Sequence, residues 1–155
     1  MNIRRAQEKD TEKIKDLLCQ VLNVHHRGRP DIFKENCRKY TDSELSEIIK
    51  DDLRPIFVAE GDSGIMGYAF CVLIVRQGNN ILTDMKTLYI DDLCVDESSR
   101  GQHIGKSLYE YVKNYAKEIG CYNVTLNVWA FNEDAKKFYE NMGLKPLSIR
   151  METIL

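Results

Sequence analysis

The sequence predicts a mixed α/β fold for its 155 residues, and three observations support that prediction. Apolar residues after Asp10 recur at the three-and-four spacing of an amphipathic helix. Two apolar runs on either side of Gly61-Asp62-Ser63-Gly64 are typical of an antiparallel hairpin. Later, a strand-like run, a glycine-containing loop, a helical pattern and another strand-like run follow one another, which predicts a parallel strand pair. We expect a single domain over residues 1–155.

The N-terminal third is predicted to contain one strand and two helices. The strand covers Asn2 to Arg5, and Asp10 can cap the helix that follows. Gly28-Arg29-Pro30 interrupts the helical pattern, and Thr41-Asp42-Ser43-Glu44 is a capping box that predicts a second, short helix. The stretch between the helices is predicted to be irregular. The apolar stripes of the helices are Ile14, Leu17, Leu18, Val21 and Leu22 in the first, and Leu45, Ile48 and Ile49 in the second.

The middle of the chain has the pattern of antiparallel strands. Ile56 to Glu60 and Ile65 to Val75 are the two arms of the hairpin. Gly78-Asn79-Asn80 is a second turn signal, and Ile81 to Val95 is predicted as a long strand region that a bulge can interrupt. We therefore expect antiparallel pairing in this part of the sheet.

The C-terminal part is predicted to add two helices and two strands. Helical spacing and strand alternation follow each other twice, and the first of the two strands should run parallel to the strand that precedes its helix. The four elements are a helix from Ile104 to Gly120, a strand with alternating Val124, Leu126 and Val128, a short helix from Asn132 to Gly143, and a final strand from Pro146 to Ile154.

Composition and charge exclude several classes of protein. A net charge of −2 with 30% charged residues gives no broad cationic surface for nucleic acid or for an anionic membrane. The longest apolar run, Ile65 to Val75, is much shorter than the roughly 20 residues of a membrane-spanning helix. Arg4 and Arg5 make the start of the chain charged, without the apolar block of a secretory signal. We expect a cytoplasmic protein with neither nucleic acid nor a membrane as partner.

The cysteines and histidines do not have the spacing of a metal site. Cysteine occurs five times, an odd number, and the residues are far apart in the chain, so the pattern predicts reduced thiols instead of a disulfide framework or a zinc site. Adjacent His25 and His26 diverge on a helix, so we expect no metal. The cysteines are Cys19, Cys37, Cys71, Cys94 and Cys121, of which Cys71 and Cys94 lie in apolar strand patterns and are expected to be buried.

The stretch Arg100-Gly101-Gln102-His103-Ile104-Gly105-Lys106 joins the long strand region to a helix and has the properties of a phosphate-binding loop. The first turn of a helix leaves backbone N–H groups without intrahelical partners, and glycines let the backbone approach an anion closely. Arg100 and Lys106 add positive charge. An ordinary strand-to-helix connection has the same pattern, so the loop needs support from elsewhere in the chain.

That support comes from the short helix after Asn132. Its Ala135, Phe138, Tyr139 and Met142 share one face. With the preceding strand, phosphate loop, helix and strand, the segment from Tyr89 to Leu144 resembles the GNAT superfamily of acyl-CoA-dependent N-acetyltransferases. The resemblance implies a central, mostly antiparallel sheet flanked by helices, in which one parallel strand pair is splayed to admit acetyl-CoA as co-substrate.

The resemblance also implies which residues hold acetyl-CoA. Backbone groups of Leu93, Cys94 and Val95 would pair with the pantetheine arm, although the same three residues could form an ordinary interior strand. In the loop, Arg100 and Gly105 match the family pattern, whereas His103 stands where the family has glycine. Its imidazole would donate a hydrogen bond to a phosphate, or it is a plain exposed loop residue. The implied binding residues are Leu93, Cys94, Val95, Arg100, Gly101, Gln102, His103, Ile104, Gly105, Lys106, Asn132 and Tyr139.

Catalytic roles follow from the same resemblance. Tyr139 matches the family's general-acid tyrosine, which serves the departing thiolate; the alternative is that it packs on the apolar face of its helix. Tyr89-Ile90-Asp91-Asp92 is similar to the acidic strand of polyamine acetyltransferases, in which the carboxylate matching Asp91 relays the proton of the amine. In a regular strand Asp91 and Asp92 point to opposite faces, so at most one of them would face the acceptor. We favour Asp91, either as a base or as a residue that orients a cationic substrate.

The residues that bind the acceptor are predicted from their position in the chain. His25, His26, Asp31 and Phe33 fall in a region that often covers the acceptor site in the superfamily, and Trp129 ends the strand near the reaction centre. We expect transfer of an acetyl group to a primary amine of a small molecule, such as a polyamine or another cationic metabolite. The alternatives are a peptide or protein amine as acceptor, or a non-catalytic acyl-CoA sensor. Homodimers are frequent among such relatives.

Overall fold

A five-stranded sheet organises the computed structural model, which describes residues 1–36 and 38–155. Cys37, one of the predicted reduced thiols, lies outside the described residues. Short 3-10 turns at Glu8–Asp10 and Glu97–Ser99 complete the structure. The main elements are β1 (Asn2–Arg5), α1 (Thr11–Gly28), α2 (Asp42–Lys50), β2 (Ile56–Gly61), β3 (Gly64–Arg76), β4 (Met85–Val95), α3 (Ile104–Glu118), β5 (Asn123–Leu126) and α4 (Glu133–Asn141).

The strands lie in the sheet in chain order, from β1 to β5. The first four pair antiparallel, and β4 and β5 pair parallel because α3 carries the chain back across the sheet between them. The structure therefore confirms the predicted mixed α/β fold with one parallel pair.

Helices cover both faces of the sheet. Alternate residues of β2 point to opposite faces, so Ile56 and Val58 pack beneath α1 and α2, while Phe57 and Ala59 pack against α3. Every predicted core residue of α2 is buried, and so are Ile14, Leu17 and Leu18 of α1. Among the described residues, no helix is both long enough and apolar enough to cross a membrane.

The two N-terminal helices begin where the sequence predicts, but only the second has its predicted cap. The capping box before α2 is present, with Thr41 Oγ1 accepting from the Glu44 amide at 3.2 Å and Glu44 Oε2 accepting from the Thr41 amide at 2.7 Å. Asp10 does precede α1, but its carboxylate does not cap the helix. It accepts hydrogen bonds from Arg4 and from the Gln7 amide instead, because the Arg4 guanidinium is the stronger partner.

Two strand boundaries differ from the prediction. The strand predicted from Ile81 begins at Met85, because the Asn79 side chain accepts hydrogen bonds from the amides of Ile81 and Leu82 and holds these residues in a turn. β5 ends at Leu126, so Val128 lies beyond it.

The predicted final strand from Pro146 to Ile154 is wrong, since residues 145–155 contain no strand. Leu147, Ile149 and Met151 alternate as a strand requires, yet each is about 80% exposed. Alternation predicts a strand only when a neighbouring strand and a buried face are available. The one contact described for this segment beyond its neighbours is an ion pair between Glu152 and Arg29.

Candidate functional site

The centre of the site is a β-bulge in β4. Phe70 of β3 pairs with Asp92, and the next residue, Cys71, pairs with Ile90, so Asp91 is an extra residue without a partner. A bulge breaks the alternation of side chains along a strand. The expectation that Asp91 and Asp92 point to opposite faces therefore does not apply, and both carboxylates interact with the ammonium group of Lys39.

Asp92 is the more buried member of the acidic pair. The Tyr68 hydroxyl donates a 2.8 Å hydrogen bond to Asp92 Oδ2, and Tyr68 itself is fully buried. Burial raises the pKa of Asp92, and the opposing effects of Lys39, Tyr68 and His25 do not cancel that rise. Burial also lowers the pKa of His25. Asp92 is thus a stronger proton acceptor than an exposed aspartate.

Asp91 lies closer to solvent and forms an ion pair. Lys39 Nζ is 2.8 Å from Asp91 Oδ2, and the Tyr40 hydroxyl is 3.5 Å from the same oxygen. The Asp91 side chain keeps 33% of its exposure. Lys39 and Tyr40 were not singled out in the sequence, because they fall in the irregular stretch before α2, where no periodic pattern indicates which residues meet the sheet.

The two parallel strands diverge next to the bulge. β4 and β5 pair only from Thr87 and Asn123 to Ile90 and Leu126, whereas β4 continues to Val95. Over Leu93, Cys94 and Val95 the β4 backbone still pairs with β3 on one side, while no strand among residues 1–36 and 38–155 pairs with it on the other. The predicted splay is therefore present, and it leaves backbone N–H and C=O groups that require partners.

The predicted phosphate loop lies at the end of this gap. α3 begins at Ile104, and the side chain of its N-cap residue, His103, makes no capping hydrogen bond. His103 has φ 60° and ψ 16°, a left-handed conformation that glycine adopts freely and that histidine tolerates better than most residues. At position 103, where the family pattern has glycine, the backbone therefore keeps a left-handed conformation that glycine also adopts.

A groove with a volume of about 360 Å³ runs along the loop. Val95, Gly105 and Phe138 are among the residues that line it. A Cβ atom on Gly105 would lie 3.4 Å from the Phe138 ring and 3.5 Å from Val95, and it would occupy space that now belongs to the groove. The Ile104 side chain is buried in the core, which leaves only its backbone for a ligand. Arg100, Gly101, His103 and Lys106 complete the rim, and Gln102 is exposed beside them.

Tyr139 of α4 lies next to α3 and within electrostatic reach of Asp92. Its ring contacts Phe138 at 5.0 Å and Tyr109 at 6.5 Å, measured between ring centroids. Burial raises the pKa of Tyr139, and the negative charge of Asp92 raises it further, so the phenol stays protonated. Asn132 caps α4 by accepting a hydrogen bond from the Ala135 amide, and it thereby sets the position of Tyr139 along the helix.

Three of the five residues predicted to bind the acceptor come together. The His25 ring is tilted by 35° against that of Phe33, with centroids 4.9 Å apart, and Phe33 meets Trp129 edge-on at 5.1 Å. Trp129 in turn stacks on Phe131, which was not predicted. Gly28 allows this arrangement, since a Cβ there would lie only 2.2 Å from the Phe131 ring. We call His25, Phe33, Trp129 and Phe131 the aromatic wall.

The other two predicted acceptor residues have structural partners. His26 Nδ1 is 2.8 Å from the Phe33 carbonyl oxygen, which fixes the loop that carries Phe33. Asp31 pairs with Arg29 at 2.7 Å near the surface.

The described cysteines are free thiols, as predicted, and Cys71 and Cys94 are buried. Burial raises the pKa of each of these two to about 12. Neither supplies a thiolate near neutral pH. The groups suited to chemistry are therefore the carboxyl of Asp92, the protonated phenol of Tyr139, the open strand edge at Leu93 to Val95 and the unpaired first amides of α3.

Comparisons with known proteins agree with this arrangement. The family model described as Acetyltransferase (GNAT) family matches residues 18–144. Glucosamine 6-phosphate N-acetyltransferase of Arabidopsis thaliana is 38% identical over 66 residues, which are 43% of this chain and 42% of that enzyme. The peptidyl-lysine N-acetyltransferase YjaB of Salmonella typhimurium is 28% identical over 147 residues, 94% of this chain and 83% of that protein. A mutant of the BH1408 protein of Bacillus halodurans has 31% identity and a TM-score of 0.96 over 100% of this chain and 99% of its own. This chain spans less than half the length of the Arabidopsis enzyme.

Replacing Lys39 with methionine is expected to raise the pKa of Asp92 still further, because the Lys39 ammonium favours the charged carboxylate and so lowers that pKa. An NMR titration of the Asp92 carboxyl carbon measures the change. Lys15→Met is the control, since Lys15 pairs with Glu12 and Asp42 on the helix surface. An unchanged or lower pKa of Asp92 in Lys39→Met would contradict the electrostatic contact.

Proposed function

This chain belongs to the GNAT family of acetyltransferases, and on that premise we propose that it transfers the acetyl group of acetyl-CoA to a primary amine of a small molecule. The observation that carries the proposal is the gap between β4 and β5. Unpaired amides lie at one end of this gap, and a buried carboxyl and a protonated phenol lie beside it. We propose direct attack of the amine on the thioester, without an acyl-enzyme.

The residues along the gap fit acetyl-CoA. The open edge at Leu93, Cys94 and Val95 offers peptide-like hydrogen bonds, which match the amides of the pantetheine arm. The first amides of α3, with Arg100 and Lys106, suit the diphosphate. When bound, acetyl-CoA supplies an activated carbonyl and a thiolate leaving group.

Asp92 is proposed as the group that receives the proton of the amine. An ordinary alkyl amine costs roughly 4 to 5 kcal/mol to deprotonate at pH 7, so a base must offset this free energy. The burial that raises the pKa of Asp92 supports the role, since an unshifted aspartate is a weaker base. Asp91 was favoured from the sequence. Its exposed ion pair with Lys39 suits it better to orient a cationic acceptor.

Tyr139 is proposed to stabilise the departing thiolate. A phenol is a weaker acid than a thiol, so complete proton transfer would be uphill by roughly 2 kcal/mol even in water. Burial raises the pKa of Tyr139 and increases that difference. We therefore assign Tyr139 a hydrogen bond to the thiolate sulfur, with the final proton reaching the sulfur from solvent or from Asp92.

The proposed acceptor is a compact amine with cationic character, such as a polyamine or a related metabolite. Asp91 and Asp92 attract an ammonium group, and the aromatic wall supplies ring faces for a cation or an apolar body. The Arabidopsis relative is named for an amino sugar phosphate and the Salmonella relative for peptidyl-lysine. A peptide amine is thus the second candidate, and an acyl-CoA sensor without transfer activity is the third.

We also propose that the protein is cytoplasmic and homodimeric. The free thiols of the four described cysteines suit a reducing compartment. The exposed alternating side chains of Leu147, Ile149 and Met151 suit burial against a second copy, because the described part of one chain gives them no partner strand. Sedimentation equilibrium measures the mass, and a monomer at high protein concentration would contradict the dimer.

A screen of polyamines, amino sugars, amino acids and peptides with acetyl-CoA tests the proposed activity. Liberated thiol is expected with at least one small amine, and to depend on that amine. If acetyl-CoA binds but no amine in the panel releases thiol, the sensor is the correct function. Release with peptides alone would establish the second candidate.

Tyr139→Phe is expected to lower kcat by about 10²-fold, because it removes one hydrogen bond to the developing thiolate. Acetyl-CoA affinity should change little. Tyr109→Phe is the matched control, since Tyr109 is a buried neighbour of Tyr139 to which the proposal gives no role. Steady-state kinetics with calorimetric binding separates the two effects. An unchanged kcat in Tyr139→Phe would remove this residue from the mechanism.

A further inference from the structure

Lys39 places a primary ammonium group where the proposed reaction needs its acceptor. Its Nζ atom is 2.8 Å from Asp91, and Asp92 interacts with the same charge. Asp91 is the bulge residue of β4, and Asp92 follows it. Asp91 is the group proposed to bind the amine, and Asp92 is the group proposed to deprotonate it. The Lys39 side chain is 29% exposed, so most of it lies inside the site.

Two other lysines with polar partners do not share this position. Lys15 likewise contacts two carboxylates, Glu12 and Asp42, but these lie on helix surfaces. Lys86 donates to the Ile119 carbonyl at the far end of β4. Among these described amines, only Lys39 is held by the pair at the bulge.

Lys39 is also held by the residue that follows it in the chain. It lies in the irregular stretch between α1 and α2, and the Tyr40 ring lies beneath its ammonium, with Nζ 5.5 Å from the ring centroid. Burial alone would lower the pKa of Lys39, but Asp92 and Asp91 outweigh burial and raise it. The Lys39 side chain is therefore positively charged, and the two carboxylates hold its ammonium as they would hold that of a substrate.

We propose that Lys39 is an acetylation site of the protein itself, modified within the same chain by bound acetyl-CoA. This proposal rests on the proposed acetyltransferase function. It goes beyond that function by naming a lysine of this chain as an acceptor.

The reaction balances in the same way as transfer to a free amine. The ammonium gives one proton to the acidic pair, and the neutral Nζ attacks the thioester carbonyl. A C–N bond forms and the C–S bond breaks. The nitrogen loses a second proton as the amide forms. Of the two protons, one ends on the coenzyme A thiol and the other passes to solvent. Because the raised pKa of Lys39 disfavours the neutral amine, we expect this transfer to be slower than turnover with a free acceptor.

Acetylation would change the charge of the site. An acetylated Lys39 keeps an N–H donor but has no positive charge, so its ion pair with Asp91 is lost. Asp91 and Asp92 then become available to a cationic acceptor. Self-acetylation would thus convert the site from one filled by its own lysine to one that accepts an external amine.

The test incubates the purified full-length protein with acetyl-CoA in the absence of any amine, and mass spectrometry follows each lysine-containing peptide. At early times the acetylated fraction at Lys39 is expected to exceed that at Lys15 by about tenfold or more, because the site holds Lys39 close to the thioester. The rate per molecule should not depend on protein concentration. Equal fractions at the two lysines, or a rate proportional to protein concentration, would overturn the proposal.

Two variants sharpen the result. Lys39→Arg keeps a positive charge beside Asp91 but supplies no nucleophilic amine, so amine-independent thiol release should fall to background. Lys15→Arg, the matched control, should retain it. Asp92→Asn should slow modification of Lys39, and an unchanged rate would identify uncatalysed chemical acetylation and overturn the proposal.

The outcome separates this proposal from the function on which it rests. If the amine screen releases thiol while Lys39 stays unmodified, self-acetylation is wrong and the acetyltransferase function stands. If neither a free amine nor Lys39 is acetylated, both are wrong.

Discussion

The parallel pairing of β4 with β5 stops at Ile90 and Leu126, while β4 continues to Val95, and the rest of the site depends on that gap. Backbone groups buried without partners are costly, so an open edge beside a groove favours a ligand with its own amide groups. At this edge the start of α3 lies next to both Val95 of β4 and Phe138 of α4.

The bulge at Asp91 brings two carboxylates, those of Asp91 and Asp92, to the same part of the site. Burial raises the pKa of Asp92 towards that of a useful base, and the charge of Asp92 helps to keep Tyr139 protonated. Two titratable groups with opposed tasks are thereby held in different protonation states at the same pH. Lys39 offsets part of the cost of burying the acidic pair, because its ammonium lies 2.8 Å from Asp91.

Features that depend on neighbouring residues in the chain were predictable from the sequence, whereas features that depend on distant contacts were not. The Thr41 capping box, the hairpin and the loop before α3 follow local rules and are present. The final strand was wrong because alternation does not reveal whether a partner strand exists. Lys39, Tyr68 and Phe131 could not be found, since each reaches the site through a contact with a residue far away in the chain: Asp91, Asp92 and Gly28, respectively.

Binding of acetyl-CoA to the gap is the central claim, and the melting temperature of the protein tests it most directly. A ligand at a hundred times its dissociation constant stabilises the folded state by about 2.7 kcal/mol, which for a chain of this size corresponds to roughly 5 to 10 °C. We expect a rise of that order with acetyl-CoA and none with adenosine alone. An unchanged melting temperature at millimolar acetyl-CoA would contradict the account.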